Sequence, residues 1–324
     1  PIIPARSRSR YSFQAFVLSA AQMWKLIGRS AKSVPLYWDK ASIWSPKPSP
    51  EPFKDYSSPC PFVQSGRAWT LWERLLTPWP YVWVIPWKHR EALGGHLFRV
   101  MVLIFGLAAV AVPYFGTNIW AETYAATVWD PEIALDRQIP VIGWMIAPYM
   151  ALYLFYPATL LSNPMDDRHR LELISGVQML SIVTLLCSVI FITLPAEIDM
   201  RDQIDFDSLA GWEVALFESM HFMDNPWNAW PSLHIAHSYF LARAITRWVQ
   251  ASYSDTTPRK LFLTILWVEF VLLSISILTT KQHYIWDLFT GLLAGFTAWY
   301  VAEPFLNKVR DLADDKVGLH LGVQ

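Results

Sequence analysis

Long uncharged apolar runs constrain this chain more than any other feature. Residues 100–121, 138–165 and 173–196 contain no Asp, Glu, Lys or Arg, and each is long enough to cross about 30 Å of hydrocarbon as a helix. Three further runs are interrupted lightly. Residues 229–249 carry Arg243 and Arg247 near the far end, where long basic side chains snorkel; 261–280 contain only Glu269, and 288–306 carry Glu303 near their end. Since backbone groups in lipid must be satisfied within the segment, the expected fold class is all-α integral membrane. Six such runs without a repeat of fixed period predict a six-transmembrane-helix bundle. Composition agrees: 53% of residues are hydrophobic and 16% charged, where a soluble chain carries about a quarter charged. A net charge of -1 gives no general pull toward phosphate backbones, so no nucleic-acid partner is expected. Cys60 and Cys187, the two cysteines, supply neither a disulfide framework nor a cysteine-rich zinc site.

The few charges sort by side. With the N-terminus cytoplasmic, the inner connections and tail hold Arg168, Arg170, Arg243, Arg247, Arg259, Lys260, Lys308, Arg310 and Lys316, whereas the outer connections hold only Arg137, Arg201 and Lys281. The outer segments are acidic, with Glu122, Asp130, Glu132 and Asp136 in one and eight acids between Glu197 and Asp224 in the other. Excess cations mark cytoplasmic loops, so both termini are expected inside. The localisation expected is a multi-pass protein of a bacterial inner or plasma membrane.

Residues 1–97 are expected to form an interfacial arm ahead of a membrane domain at 98–306, with a cytoplasmic tail at 307–324. Phe13, Phe16, Val17, Ala20, Met23, Trp24 and Ile27 fall at helical spacing among Arg10, Lys25, Arg29 and Lys32. That is the pattern of a basic amphipathic helix on an anionic leaflet, and equally of a helix packed on a partner protein. Residues 45–61 are rich in Pro and Ser and read as an extended linker. Trp69, Trp72, Trp79, Trp83 and Trp87, broken by Pro78, Pro80 and Pro86, read as a segment anchored at the membrane boundary. The chain opens on Pro-Ile-Ile, and no secretory signal with a short apolar core is expected there.

Two polar clusters stand where the fourth, fifth and sixth runs reach the outer face. One is residues 224–234, Asp-Asn-Pro-Trp-Asn-Ala-Trp-Pro-Ser-Leu-His; the other is residues 279–287, Thr-Thr-Lys-Gln-His-Tyr-Ile-Trp-Asp. Alternating crossings put His234 and His283 on the same side. His283 and Asp287, four positions apart, share a helical face if the sixth span begins there. A carboxylate on one imidazole nitrogen fixes the tautomer and frees the other nitrogen to attack. His234 then serves as general acid to a departing alkoxide. Pro231 suits the first turn of a helix whose free N–H groups, with the Ser232 hydroxyl, cradle a phosphate. Lys281 and Arg201 are the candidate cations for phosphate charge, with headgroup contact at the boundary as their alternative reading.

Pro231-Ser232-x-His234, followed by Ser276-x6-His283-x3-Asp287, resembles the second and third signatures of the type 2 phosphatidic acid phosphatase superfamily. Pro-Ser-Leu-His and Gln-His-Tyr-x-x-Asp are closest to the branch containing inositol phosphorylceramide synthases. The resemblance covers roughly residues 98–306. It implies a six-span lipid phosphatase or phosphotransferase with no metal and no cofactor, working through phosphohistidine. On it His283 is the nucleophile, Asp287 its orienting acid, His234 the acid/base and Ser232 a phosphate ligand; the substrate is a phospholipid, isoprenoid or sphingolipid phosphoester drawn from the bilayer. Two departures stand out. No Arg-Pro pair occurs, so the first signature, Lys-x6-Arg-Pro, is absent and residues 194–201 take its place with Arg201 as the single cation; Ile277 stands where the third signature has Arg.

Other readings compete. His237, with His221 nearby, is one His-x-x-His pair, too sparse for the dense histidine boxes of di-iron membrane enzymes. Glu269 is costly to bury as a charge and lies about two and a half turns below the site by helical rise. The segment from Asp166 to Arg170 reads as a solvated loop on the opposite face. A structural or accessory subunit of a larger membrane complex, bound through the N-terminal arm and catalytically impaired, is the alternative to an enzyme.

Overall fold

A computed structural model describes residues 71–310 of the 324. The amphipathic helix expected at 11–34, the linker at 45–61 and the tail beyond 310 lie outside them. The described residues are helical, with an isolated bridge between Ala196 and Asn228 and no strand. Two short helices, α1 (Leu71–Leu76) and α2 (Pro80–Lys88), lead through a turn at Ala92–Gly95 into α3 (His96–Tyr124). There follow α4 (Ala134–Gln138), α5 (Ile146–Met150), α6 (Leu152–Ser162), α7 (Asp167–Thr193), α8 (Gly211–Met223), α9 (Leu233–Ser252), α10 (Thr257–Thr279) and α11 (Ile285–Arg310).

Five stretches are long and apolar enough to cross a bilayer: Ala92–Tyr124, Gly143–Ser162, Asp167–Thr193, Thr257–Thr279 and Ile285–Val309. They correspond to five of the six expected runs and make this an integral membrane protein. The fourth run is the exception. Its helix, α9, has 20 residues, but His234, His237, Arg243 and Arg247 keep its hydropathy below that of the others. It sits instead at the centre of the bundle, packed on α11, α6, α10 and α7, with buried residues on every side of it. A helix surrounded by other helices needs no apolar coat.

The polar residues of α9 are paired rather than turned to headgroups, unlike the snorkelling expected of them. Arg247 makes two hydrogen bonds to the fully buried Glu172 of α7, at 3.0 and 2.9 Å, and the Trp248 indole adds a third at 2.8 Å. Arg243 lies 3.6 Å from Glu303 and over the ring of Trp299. Nearby, the Asp166 carboxylate caps α7 through the His169 N–H, and Arg170 is buried against Asp167 and Glu91. The solvated loop expected there is the ordered first turn of a helix.

The tryptophan-rich approach also departs from its expected boundary role, because Trp83 and Trp87 are buried in the main core. A polar residue of α7 draws Trp83 in, since Gln178 accepts its indole N–H at 2.7 Å and the Trp79 backbone N–H at 2.9 Å, while Trp87 packs edge-on against Phe98. The Gln178 amide donates to the carbonyls of Leu75 and Thr77. In lipid such a side chain has few other partners.

Helices α9 and α11 approach most closely through glycine. A Cβ on Gly291 would lie 2.6 Å from the Ser232 carbonyl oxygen, and one on Gly295 would lie 2.8 Å from that of Ala236. Small residues allow this backbone approach in membrane helices, and here it brings the start of α11 against the start of α9.

The Glu172–Arg247 pair gives a prediction for the far end of the bundle. Breaking a buried pair leaves an uncompensated charge, costing about 3 kcal/mol or more. Arg247→Met should therefore destabilise the detergent-solubilised protein by that amount in equilibrium unfolding, and Glu172→Leu with Arg247→Met should recover most of the loss. Equal loss in the single and double variants would refute the pairing argument.

Candidate active site

The loop between α10 and α11 builds the first half of the site. α10 ends in a Schellman arrangement: the Gln282 N–H donates to the Ile277 carbonyl at 3.1 Å and the Lys281 N–H to that of Leu278 at 3.2 Å. Such a motif usually places glycine at its left-handed position. Lys281 occupies it here, with φ 59°, and its buried side chain reaches across to give its ammonium to the Asp136 carbonyl at 2.8 Å. Asp136 in turn accepts the Ile285 N–H at 2.8 Å through its side chain. The 125–142 connection thus fixes both the turn and the start of α11. His283, whose N–H joins Gln282's on the Ile277 carbonyl at 3.0 Å, follows in a single orientation.

Asp287, in the first turn of α11, lies four residues on and faces back. Its Oδ2 is 3.1 Å from His283 Nδ1 and accepts the Tyr284 N–H at 2.9 Å. The Ala229 carbonyl is the other neighbour of Nδ1, also at 3.1 Å. Two acceptors around one nitrogen place the proton on Nδ1, so Nε2 presents its lone pair. That lone pair faces Ser232 Oγ at 3.3 Å and His234 Nδ1 at 3.4 Å.

The start of α9 supplies this second half. Ser232 is the N-cap of α9, so Pro231 precedes the cap rather than entering the first turn as its sequence suggested. The Ser232 N–H donates to the Asp287 carbonyl at 3.2 Å, and its hydroxyl turns to His283. The first N–H groups of any helix lack intrahelical acceptors, and those of α9 lie beside these side chains. The Tyr149 ring packs on His234 with centroids 4.7 Å apart. Ser232, His234, His283 and Asp287 are all buried, beneath a cap formed by 194–204 and 224–230. The Ile198 N–H binds the Pro226 carbonyl within that cap at 2.7 Å.

The two candidate cations are each engaged by a backbone carbonyl. Lys281 is engaged by Asp136 as described, and burial pulls its ammonium below the ordinary lysine value. Arg201 donates to the Asp224 backbone carbonyl at 3.1 Å, and burial lowers it too, against the attraction of Asp224. Asp224 itself was not expected in the site. It is buried, accepts the Tyr114 hydroxyl at 2.8 Å and the Asn118 amide at 3.0 Å, and lines one cavity together with His234. Burial pushes its carboxyl upward, while Arg201 opposes the shift. No local motif marks it; its role emerges only when α3 delivers Tyr114 and Asn118.

His237 and His221 are engaged elsewhere. The Thr184 hydroxyl spends its proton on the Leu180 carbonyl, so His237 Nε2 donates to it at 3.1 Å, and Nδ1 accepts the Tyr156 hydroxyl at 2.7 Å. Both ring nitrogens are thereby occupied. His221 accepts the Gln282 amide at 3.2 Å; burial, with Arg201 adding to it, pulls its pKa from 6.5 down to about 4. Glu269, half-buried in α10, has one buried carboxyl oxygen without a hydrogen-bond partner.

Two histidines, a serine and an aspartate are thus gathered at one end of a bundle of membrane-long helices. The chain belongs to the PAP2 superfamily, whose model matches residues 137–301, about half of its length. That match takes in every residue of the cluster and stops short of α3. No curated relative and no solved structure matches it.

Two predictions test this construction. Lys281→Met retains the left-handed strain of roughly 1–2 kcal/mol and strips the Asp136 carbonyl of its donor, while Lys281→Gly removes that strain. Thermal unfolding should therefore rank Lys281→Met below Lys281→Gly; the reverse order would contradict the strain assigned to the left-handed position. His221 takes up a proton near pH 6.5 when unfolded but only near 4 when folded, so its contribution is present above pH 6.5 and is lost as pH falls toward 4. Replacing it with Asn should flatten the stability profile between pH 6.5 and 5, and an unaltered profile would exclude His221 as its source.

Proposed function

We propose that this protein is a membrane lipid phosphatase or lipid phosphotransferase that acts through a phosphohistidine at the non-cytoplasmic face. The observation that carries this reading is the free Nε2 of His283, set by Asp287 on the opposite nitrogen and aimed at Ser232 and His234. Membership of the PAP2 superfamily supports the reaction class.

In the first step His283 Nε2 attacks phosphorus, the bond to the leaving oxygen breaks, and His234 gives that oxygen its proton. Asp287 holds the positive charge that forms on the imidazole, and the N–H groups at the start of α9 with Ser232 hold the phosphoryl oxygens. Water or an alcohol headgroup then attacks, His234 takes its proton, and the P–N bond breaks. The substrate is a phospholipid, isoprenoid or sphingolipid phosphoester. The Pro-Ser-Leu-His and Gln-His-Tyr-x-x-Asp wording favours the inositol phosphorylceramide synthase-like branch. α9 completes a six-span bundle in a bacterial inner or plasma membrane, with both termini inside.

A second reading, a catalytically impaired accessory subunit of a larger membrane complex, draws on a specific observation. Lys281 and Arg201 are occupied by backbone carbonyls, and Ile277 stands where the superfamily signature has Arg. Gentle purification separates the two: stoichiometric co-purification with other subunits, without turnover, supports the accessory role.

The enzyme reading predicts that His283→Ala abolishes release of phosphate or headgroup from lipid by the purified protein. His234→Gln should slow release by about 10²- to 10⁴-fold, the usual worth of a positioned acid/base. Unchanged turnover in His283→Ala would dismiss the assignment.

A further inference from the structure

The buried cluster meets open space on one side, where His234 faces a cavity of about 80 Å³ bounded by Leu107, Val110, Phe115, Leu152 and Leu233. A second cavity of about 40 Å³ shares Leu107, Val110 and Tyr156 with the first and runs on to Val102 between α3, α6 and α7. End to end they follow α3 from Phe115 to Val102, roughly 20 Å by helical rise. That exceeds the depth of one leaflet of a hydrocarbon core about 30 Å thick.

Three polar groups along this slot are turned to protein partners. The Tyr156 hydroxyl is taken by His237, the Tyr114 hydroxyl by Asp224 and the Thr159 hydroxyl by the Phe155 carbonyl. Their rings and methyl groups therefore face the space. Asp224 and His234 stand together at its outer end. On the α7 side the slot is closed tightly, since a Cβ on Gly106 would already lie 3.0 Å from Val177. Toward α6 it is less firmly bounded, because α3 packs chiefly on α7 and touches α6 far less.

We infer that this slot between α3, α6, α7 and α9 binds one long hydrocarbon chain of a phosphoester, holding its phosphate end at His234. The inference rests on the phosphoester reading above and adds the chain's position. An apolar slot, narrow across and as long as a leaflet, that ends at the cluster fits an alkyl or prenyl chain; a headgroup sugar or a second polar substrate would strand its hydroxyls there. α3, outside the matched family region, contributes the largest share of the wall.

The test uses the full chain in lipid nanodiscs with a hexadecyl phosphate bearing a photoreactive diazirine near the end of its chain. Labelled peptides should map to residues 102–115 and 152–160, and unlabelled hexadecyl phosphate should suppress the labelling where inorganic phosphate does not. Val110→Trp should reduce the labelling about tenfold, a typical overpacking penalty. Leu107→Trp replaces it if Val110→Trp fails to fold, and Val112→Trp on the lipid-exposed side should leave labelling unchanged. Labels spread over α10 and α11, or a pattern indifferent to tryptophan at positions 110 and 107, would overturn the slot. Because labelling needs no turnover, a mapped slot in an inactive protein would refute the enzyme reading alone, and turnover lost in His283→Ala with labelling outside the slot would refute the slot alone.

Discussion

The carboxylate of Asp287 is the interaction on which the rest depends. It lies fully buried at the start of α11, where a lone charge would be expensive, and its Oδ2 is engaged by the His283 ring and the Tyr284 N–H. Its own backbone carbonyl takes the Ser232 N–H. One residue therefore sets the tautomer of His283, shapes the turn before the helix and fastens the beginning of α9. A similar economy appears one layer out, where Asp136 holds Lys281 by its carbonyl and Ile285 by its side chain.

Around this point the bundle divides by chemistry. At the far end, the Glu172–Arg247–Trp248 group lets the central helix carry charge inside a membrane protein. At the site end, residues from two connections, Ala196, Ile198, Met200 and Ala229, cluster with Tyr284 beside the histidines. Between them, α3 contributes an apolar wall and, near its end, the Tyr114 and Asn118 partners of Asp224.

Much of this was legible in the sequence because it is local or follows from alternation. Five apolar runs, three of them without any charge, correspond to five membrane-long helices, and the i to i+4 spacing of His283 and Asp287 brings their side chains together as expected. Crossing parity put His234 on the same side as His283, and the fold makes them neighbours. What the sequence hid depends on distant contacts. The centrality of α9 comes from its neighbours, so its arginines looked like snorkelling ends. Trp83 carries the signature of a membrane boundary until Gln178, 95 residues away, draws its indole into the core. The engagement of the Lys281 ammonium by the Asp136 carbonyl, 145 residues away, has no local sequence signal. Asp224 is one acid among eight in its segment, distinguished only by what α3 brings to it.

The glycine contacts between α9 and α11 have a mechanical consequence. With Gly291 and Gly295 seated against the backbone of the opposing helix, the two helices that carry the histidines form one body with no room to slide. The reacting atoms on the two helices are thereby kept in register by backbone contact rather than by side chains that could repack.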